Sequence, residues 1–164
     1  MLDQAEMERF VREDYPRLVH AVALVAGSID VAEDLVQEAT ARAWYRATKG
    51  ETIDSLPNWV AAVAFNLARS RWRRIFLERR TIAPEFVEGP SNEDRVEIQR
   101  ALAVLPRRQR EVAVLRYLLG MSTRDVAATL HVSEGTVKNS LSKARTRLAR
   151  ELRIEEGADD VADR

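Results

Sequence analysis

The chain of 164 residues is long enough for one ordinary domain or two small ones, and its 46% of hydrophobic residues can bury a core. The absence of cysteine excludes a disulfide framework, a thiolate metal site and a cysteine nucleophile. With 26 basic and 26 acidic side chains the net charge is zero, which argues against non-specific coating of nucleic acid. The acidic N-terminus predicts no signal peptide, and no apolar run approaches the ~18 residues that a membrane span needs.

The charged residues are distributed unevenly along the chain. Basic side chains concentrate in residues 69–80 and 138–153, whereas acidic side chains collect in residues 85–97 and 155–163. Two basic patches separated by acidic stretches indicate two sites that contact an anionic partner. The alternative, for either patch alone, is a solvated helix face.

The first half of the chain predicts three helices, over residues 3–26, 30–49 and 57–78. Gly27 and Gly50 act as stop signals for the first two. The third begins near a proline, which suits a first helical turn because its missing N–H is not needed there.

The second predicted helix carries an acidic stripe. Helical geometry places one set of side chains on an arc about 100° wide and turns a second set toward a core. The arc contains Asp34, Gln37, Glu38 and Ala41, and the core set contains Leu35, Ala39 and Ala43. The stripe is a candidate docking surface for a basic protein; the alternative is simple solvation.

The third predicted helix combines arginine, asparagine and aromatic residues. Its packing face contains Trp59, Val60, Val63, Ala64 and Leu67, while Asn66, Arg69 and Arg73 point elsewhere. A second stripe contains Phe65, Trp72 and Phe76. Rings interleaved with arginine suit single-stranded nucleic acid, whose bases stack and whose phosphates pair. The alternative is that the rings pack internally, which we expect for Phe65 and Phe76.

Pro84, Gly89 and Pro90 mark the stretch after residue 80 as a flexible linker. Helices are then predicted over residues 91–104, 106–119, 122–130 and 133–153, with capping boxes beginning at Ser91 and Ser122. Period-two alternation is absent beyond a few residues, so the sequence predicts an all-α fold of two small helical modules. The boundaries are a first module at 1–80, the linker at 81–92, a second module at 93–153 and an acidic tail, expected to be disordered, at 154–164.

The last two predicted helices form a helix-turn-helix, separated only by residues 131–133. Val126 and Leu130 pack the first of them, and Val137, Leu141, Ala144 and Leu148 form one stripe on the last. The opposite side offers polar groups for base edges and phosphates: Gly135, Lys138, Asn139, Ser142 and Lys143. His131 occupies a position where glycine often supplies a positive φ. The alternative is a plain helical hairpin with a solvated face.

In chain order these motifs resemble the extracytoplasmic-function group of bacterial sigma factors. Residues 34–38 (DLVQE), 56–60 (LPNWV) and 66–69 (NLAR), followed by Arg73 and Arg74, are similar to region 2 of that family. Residues 105–112 (LPRRQREV), 118–122 (LLGMS) and 135–138 (GTVK) are similar to region 4. The resemblance covers nearly all of residues 5–153.

The resemblance implies a factor that binds core RNA polymerase, recognises promoter DNA and promotes its opening. Asp34, Leu35, Gln37 and Glu38 would dock on the clamp helices of the β′ subunit, and the β flap would be a further contact. At the −10 element Asn66 would line a pocket for a flipped base, and residues 50–56 would help to select that base. The nearby phosphates would be held by Arg69, Arg73 and Arg74. At the −35 element Lys138, Asn139 and Lys143 would contact DNA, with Ser133 and Thr136 near its phosphates. Ser70 and Ser140 depart from the Asp and Arg that many members carry, which leaves the promoter sequence open.

The sequence shows no Gly-rich phosphate loop, nucleophile–base pair or metal cluster, so we expect no catalytic residues, metal or cofactor, and no membrane insertion. The resemblance implies a cytoplasmic protein, with an anti-sigma factor as a candidate partner. The linker would let the modules sit a promoter spacer apart or, in the unbound protein, fold together. Two alternatives remain from the residues alone. The first is a stand-alone helix-turn-helix regulator, which would bind palindromic DNA as a dimer. The second is a helical interaction module that never contacts DNA.

Overall fold

The structure is a computed structural model that describes the backbone of residues 2–78 and 93–162 and the side chains of residues 2–75 and 98–151. The first module contains α1 (Gln4–Glu13), α2 (Tyr15–Ala26), α3 (Ile29–Thr48) and α4 (Leu56–Glu78). The second contains α5 (Glu93–Ala103), α6 (Arg107–Ala113), a π-helical segment (Val114–Leu118), α7 (Thr123–Leu130) and α8 (Glu134–Ala162). No strand occurs in these ranges, and the predicted all-α fold is confirmed. The predicted linker and the capping box at Ser91 lie outside the described residues.

The prediction of one helix over residues 3–26 is wrong, because the chain turns at Asp14 between α1 and α2. Pro16, in the first turn of α2, is the physical reason. Within a continuous helix it would lack an N–H to donate and its ring would clash with a carbonyl of the preceding turn. The backbone N–H of Asp14 still donates to the Phe10 carbonyl at 2.9 Å, so the interruption is a tight turn and not a loop.

The second module forms the predicted helix-turn-helix. Ser122 caps α7 by accepting from the Asp125 backbone N–H at 3.1 Å, and Ser133 caps α8 by accepting from the Thr136 N–H at the same distance. His131 ends α7 with φ 54° and ψ 51°, the left-handed conformation anticipated at this position.

Two element boundaries in the second module differ from prediction. The helix predicted over residues 106–119 contains the π-helical segment, in which the Leu119 N–H reaches back to the Val114 carbonyl at 3.1 Å. The last helix was predicted to end near residue 153, but α8 continues to Ala162. Gly157 lowers helix propensity by only about 1 kcal/mol, which a helix of 29 residues tolerates.

The two modules pack against each other. Helix α4 lies against α7, and α2 lies against the π-helical segment and α6. Buried side chains of both modules, from Phe10 and Phe65 to Val126 and Val137, belong to one hydrophobic cluster. This packing brings the basic part of α4 next to the first helix of the helix-turn-helix.

Candidate nucleic-acid and protein interfaces

The acidic stripe of α3 is solvent-exposed, as the periodicity predicted. Ser28 caps the helix, and Asp34, Gln37 and Glu38 face solvent. Leu35 is only 8% exposed and packs in the core with Ala39 and Ala43. Of the four predicted polymerase-binding residues, three therefore offer polar contact surface, while Leu35 anchors the helix beneath them.

Two neighbours of this stripe were not identified from the sequence. Arg42, one turn further on α3, forms an ion pair with Glu38. Tyr15 on α2 lies beside Gln37: burial and the Glu33 carboxylate raise the pKa of its hydroxyl, while a hydrogen bond with Gln37 opposes that rise. Tyr15 comes from another helix, so helical periodicity within α3 carries no signal for it.

A groove of about 530 Å³ opens between α3 and α4 next to the acidic stripe. It is lined by Glu38, Ala41, Arg42, Tyr45, Arg46, Trp59 and Val63. The Arg46 guanidinium lies 5.5 Å from the centre of the Trp59 ring and donates through Nε to Glu51 at 2.6 Å. Residue 51 belongs to the loop that the resemblance connects with base selection, so this loop is held against the groove wall.

The predicted −10 residues of α4 fall into two groups. Arg73 and Arg74 are exposed, and Arg73 Nη2 donates to the Ser70 hydroxyl at 3.2 Å. Asn66 and Arg69 are half-buried. Arg69 Nη1 donates to the backbone carbonyl of Leu130 in the second module at 3.1 Å. One predicted phosphate ligand is therefore engaged by protein in this structure.

The aromatic stripe of α4 divides as expected where it is described. Phe65 is fully buried, which confirms that its ring packs internally, and Phe76 lies outside the residues with described side chains. Trp72 remains 42% exposed, and the Arg107 guanidinium of the second module lies 4.3 Å from its ring centre. At that distance the pair is a cation–π contact across the two modules.

Arg107 is held in place by a buried carboxylate. Its Nε donates to Glu111 Oε1 at 3.0 Å, and Arg108 Nη1 lies 3.7 Å from Glu111 Oε2. The Glu111 side chain is only 3% exposed. Burial lowers the pKa of Arg107, the Glu111 carboxylate opposes that effect, and the charge of Arg69 contributes to the lowering.

The five residues predicted for the polar face of α8, Gly135, Lys138, Asn139, Ser142 and Lys143, are all exposed. Lys138, Asn139 and Lys143 all face solvent, whereas Val137, Leu141 and Ala144 are buried on the opposite side. The Ser133 hydroxyl lies 2.9 Å from the Thr136 hydroxyl, so both groups stand together at the N-terminus of the helix. This arrangement suits a helix whose N-terminal end enters a major groove.

The described residues contain no cluster of three or more metal-ligating side chains. His20 places Nδ1 2.6 Å from the Pro16 carbonyl oxygen. None of the described helices combines the length and apolarity required to cross a bilayer.

Comparison with known families agrees with this division into two modules. Residues 10–75 match the family model described as Sigma-70 region 2, and residues 95–148 match that described as Sigma-70, region 4. The two matches include the acidic stripe, the basic part of α4 and the polar face of α8.

Individual proteins are similar over most of the chain. The RNA polymerase sigma-E factor of Streptomyces coelicolor is 34% identical, across 90% of this chain and 86% of its own length. The ECF RNA polymerase sigma factor EcfG of Rhodopseudomonas palustris is 32% identical, across 83% and 78%. Among solved structures, the sigma factor RpoE of Bartonella quintana, crystallised with the anti-sigma factor NepR, has a TM-score of 0.78 at 26% identity and covers 93% of this chain and 99% of its own.

Proposed function

The chain belongs to the extracytoplasmic-function sigma factors of bacterial RNA polymerase, and from that premise we propose how its surfaces share the work of transcription initiation. As a sigma factor it binds core RNA polymerase and recognises promoter DNA. The similar sigma factors span both modules, so the alternative function, a stand-alone helix-turn-helix regulator, is not favoured. The protein acts in the cytoplasm, where its polymerase is. Phosphoryl transfer belongs to the polymerase, and this chain contributes binding alone.

The acidic stripe of α3 docks on the β′ clamp helices through Asp34, Gln37 and Glu38, with Leu35 supporting them from the core. The observation that carries this assignment is the exposure of all three polar side chains above a buried face. Asp34→Ala combined with Glu38→Ala should weaken binding to core polymerase about tenfold or more, because two charge-assisted contacts are lost. Glu8→Ala, an exposed acidic residue on α1, is the matched control. Wild-type affinity in the double variant would refute the docking assignment.

The basic face of α4 holds the −10 element in its melted form. Asn66 receives a base that leaves the stack, Arg69, Arg73 and Arg74 hold nearby phosphates, and residues 50–56 help to select the base. Unstacking costs a few kcal/mol per step, so a captured base favours the open complex. The supporting observation is that these side chains follow one another along α4, the helix whose earlier residues Trp59 and Val63 line the groove.

Asn66→Ala tests this role without disturbing the docking stripe. The variant should bind core polymerase like the wild type but give less permanganate reactivity at thymines of the −10 region. Asn58→Ala, on the first turns of the same helix, is the matched control. Unchanged reactivity in the Asn66 variant would remove this residue from promoter opening.

The exposed face of α8 contacts the −35 element through Lys138, Asn139 and Lys143, with Ser133 and Thr136 near its phosphates. Duplex binding there positions the complex through the backbone and reads part of the sequence through base edges. The β flap of the polymerase is a further proposed contact of the chain. An anti-sigma factor is a further proposed partner, because the similar Bartonella quintana protein was crystallised with one.

Run-off transcription with core RNA polymerase and a promoter library tests the whole assignment. Transcripts that require this protein and share −10 and −35 motifs are the expected result. If a folded protein gives no transcript and no core binding, the sigma assignment fails. Salt-dependent duplex binding would then separate a regulator from an interaction module.

A further inference from the structure

The loop between α3 and α4 begins with a turn that the backbone fixes. Gly50 adopts φ 80°, the left-handed conformation in which many helices end. Its N–H donates to the Ala47 carbonyl at 2.9 Å, and the Glu51 N–H donates to the Arg46 carbonyl at 3.2 Å. These two hydrogen bonds satisfy carbonyls at the end of α3 and set the direction in which the chain leaves the helix.

The Arg46 side chain holds Glu51 a second time. Its Nε donates to Glu51 Oε2 at 2.6 Å, and its Nη2 donates to the same oxygen. The guanidinium also lies 5.5 Å from the centre of the Trp59 ring, in the first turn of α4. A planar guanidinium can donate in its plane while its face rests on a ring, a geometry that the compact ammonium of lysine lacks. Arg46 therefore connects the end of α3, the start of the loop and α4.

The other end of the loop is fixed by packing and by a helix cap. Leu56 is buried, and Ile53 packs against the hydrophobic cluster. The hydroxyl of Ser55 accepts a backbone N–H of α4 at 3.5 Å. Thr52 and Asp54 lie between these anchors and are exposed. The loop thus offers a hydroxyl and a carboxylate on a backbone that is held at both ends.

Selection of a base requires hydrogen-bonding groups that stay in place. A hydroxyl donates or accepts and a carboxylate accepts, so the two groups can distinguish the donor and acceptor edges of bases. A fixed site rejects a wrong base because polar groups are then left unpaired, and a loop that is free to move escapes that penalty. Ordering a mobile loop would also reduce the affinity for every base.

We propose that Arg46 is a positioning residue for base selection at the −10 element, holding Glu51 so that Thr52 and Asp54 meet the base in one geometry. The proposal rests on the proposed role of residues 50–56. Arg46 contacts no nucleic acid in this role and acts through Glu51. The Glu51 carboxylate is the group that anchors the loop, and the base is read by the two residues beyond it.

This anchor can be removed without unfolding the protein. The side chains of Arg46 and Glu51 are 47% and 46% exposed, and exposed ion pairs contribute little to stability. Arg46→Ala and Glu51→Ala should therefore melt within about 4 °C of the wild type. Both variants break the same contact from opposite sides, and Glu51→Ala leaves the Trp59 ring with its cation.

The first test measures the motion of the loop in the full chain without DNA. The chain contains no cysteine, so a nitroxide on Thr52→Cys reports from the loop alone. Arg46→Ala should shorten the rotational correlation time of the label about twofold or more, because the loop loses its anchor. Lys49→Ala is the matched control, since Lys49 directly precedes the loop and its Nζ lies over the Tyr45 ring of α3. Equal spectra for Arg46→Ala and this control would overturn the positioning role.

The second test measures base preference in transcription by core RNA polymerase. The templates are the promoter found by run-off transcription with its −10 and −35 positions randomised, and barcoded transcripts are sequenced. Arg46→Ala and Glu51→Ala should lower the preference for the favoured base about fivefold at one −10 position and leave the −35 preferences unchanged. The double variant should be no less selective than either single variant, because all three break one contact. Lys49→Ala should keep the wild-type profile.

An unchanged profile in Arg46→Ala, or an equal loss of preference at the −10 and −35 positions, would overturn the proposal. A double variant, Thr52→Ala with Asp54→Ala, distinguishes this result from a failure of the proposed role of the loop. If the double variant changes the −10 profile and Arg46→Ala does not, only the positioning role fails. If neither changes it, base selection by residues 50–56 fails as well.

Discussion

Neutralising the Glu111 carboxylate should destabilise the protein measurably. The side chain is 3% exposed and meets Arg107 Nε at 3.0 Å, while the Arg107 side chain is 26% exposed. Breaking a fully buried ion pair costs about 3–5 kcal/mol, and an exposed pair contributes about 0–1 kcal/mol. The half-buried geometry lies between these limits, so Glu111→Gln should lower the free energy of unfolding by about 2 kcal/mol. For a chain of this size that corresponds to a fall in Tm of about 4–8 °C.

Equilibrium urea unfolding of a double-mutant cycle isolates the pair. Glu111→Gln, Arg107→Met and the double variant should give a coupling energy of about 1–2 kcal/mol. Glu13→Gln is the matched control, because it breaks the exposed ion pair with Arg12 and should cost less than about 0.5 kcal/mol. A Glu111 variant as stable as that control, or a coupling energy near zero, would show that the buried pair contributes no net stability.

Three further predictions concern the left-handed residue of the turn, a buried ring and the proposed −35 contact. His131→Val should lower the free energy of unfolding by about 1–2 kcal/mol, because a β-branched residue resists positive φ. His131→Gly should not lower it, and thermal melts of the two variants make the comparison. Phe65→Ala should cost about 3–5 kcal/mol in urea unfolding, and a loss below 1 kcal/mol would place the ring outside the core. Lys138→Ala should weaken −35 duplex binding and reduce its salt slope by about 1, and an unchanged slope by fluorescence anisotropy would exclude a phosphate contact.

Helical periodicity predicted the faces of α3 and α8 because it depends only on residues of one element. Val137, Leu141 and Ala144 recur at helical spacing and are buried, so the polar residues between them necessarily face away. The exposed stripe of α3 follows from Ala39 and Ala43 in the same way. These two surfaces were predictable without knowledge of the tertiary structure.

The predicted helix boundaries are wrong beside Pro16, where the sequence carries a strong local signal, and at the π-helical segment, where it carries none. Pro16 is visible in the sequence, and its effect on a preceding helix is large enough to have separated α1 from α2. The π-helical segment contacts α2 as well as α6 and α7, and such tertiary contacts leave no sign in hydropathy. Tyr15 beside Gln37 required the angle between α2 and α3, which only the packed structure supplies.

The sequence does not predict how the two modules pack against each other, and the reason is more general. Arg17 and Arg69 contact backbone carbonyls that lie 101 and 61 residues away, and a backbone carbonyl leaves no signature in a sequence. The motif around Arg69 predicts a phosphate ligand, and this proposed role concerns only its partner in a complex with DNA. A guanidinium selected to hold a phosphate is equally suited to the negative end of a helix. The Arg69 guanidinium therefore contacts the second module in this structure, although its sequence context predicts a phosphate contact.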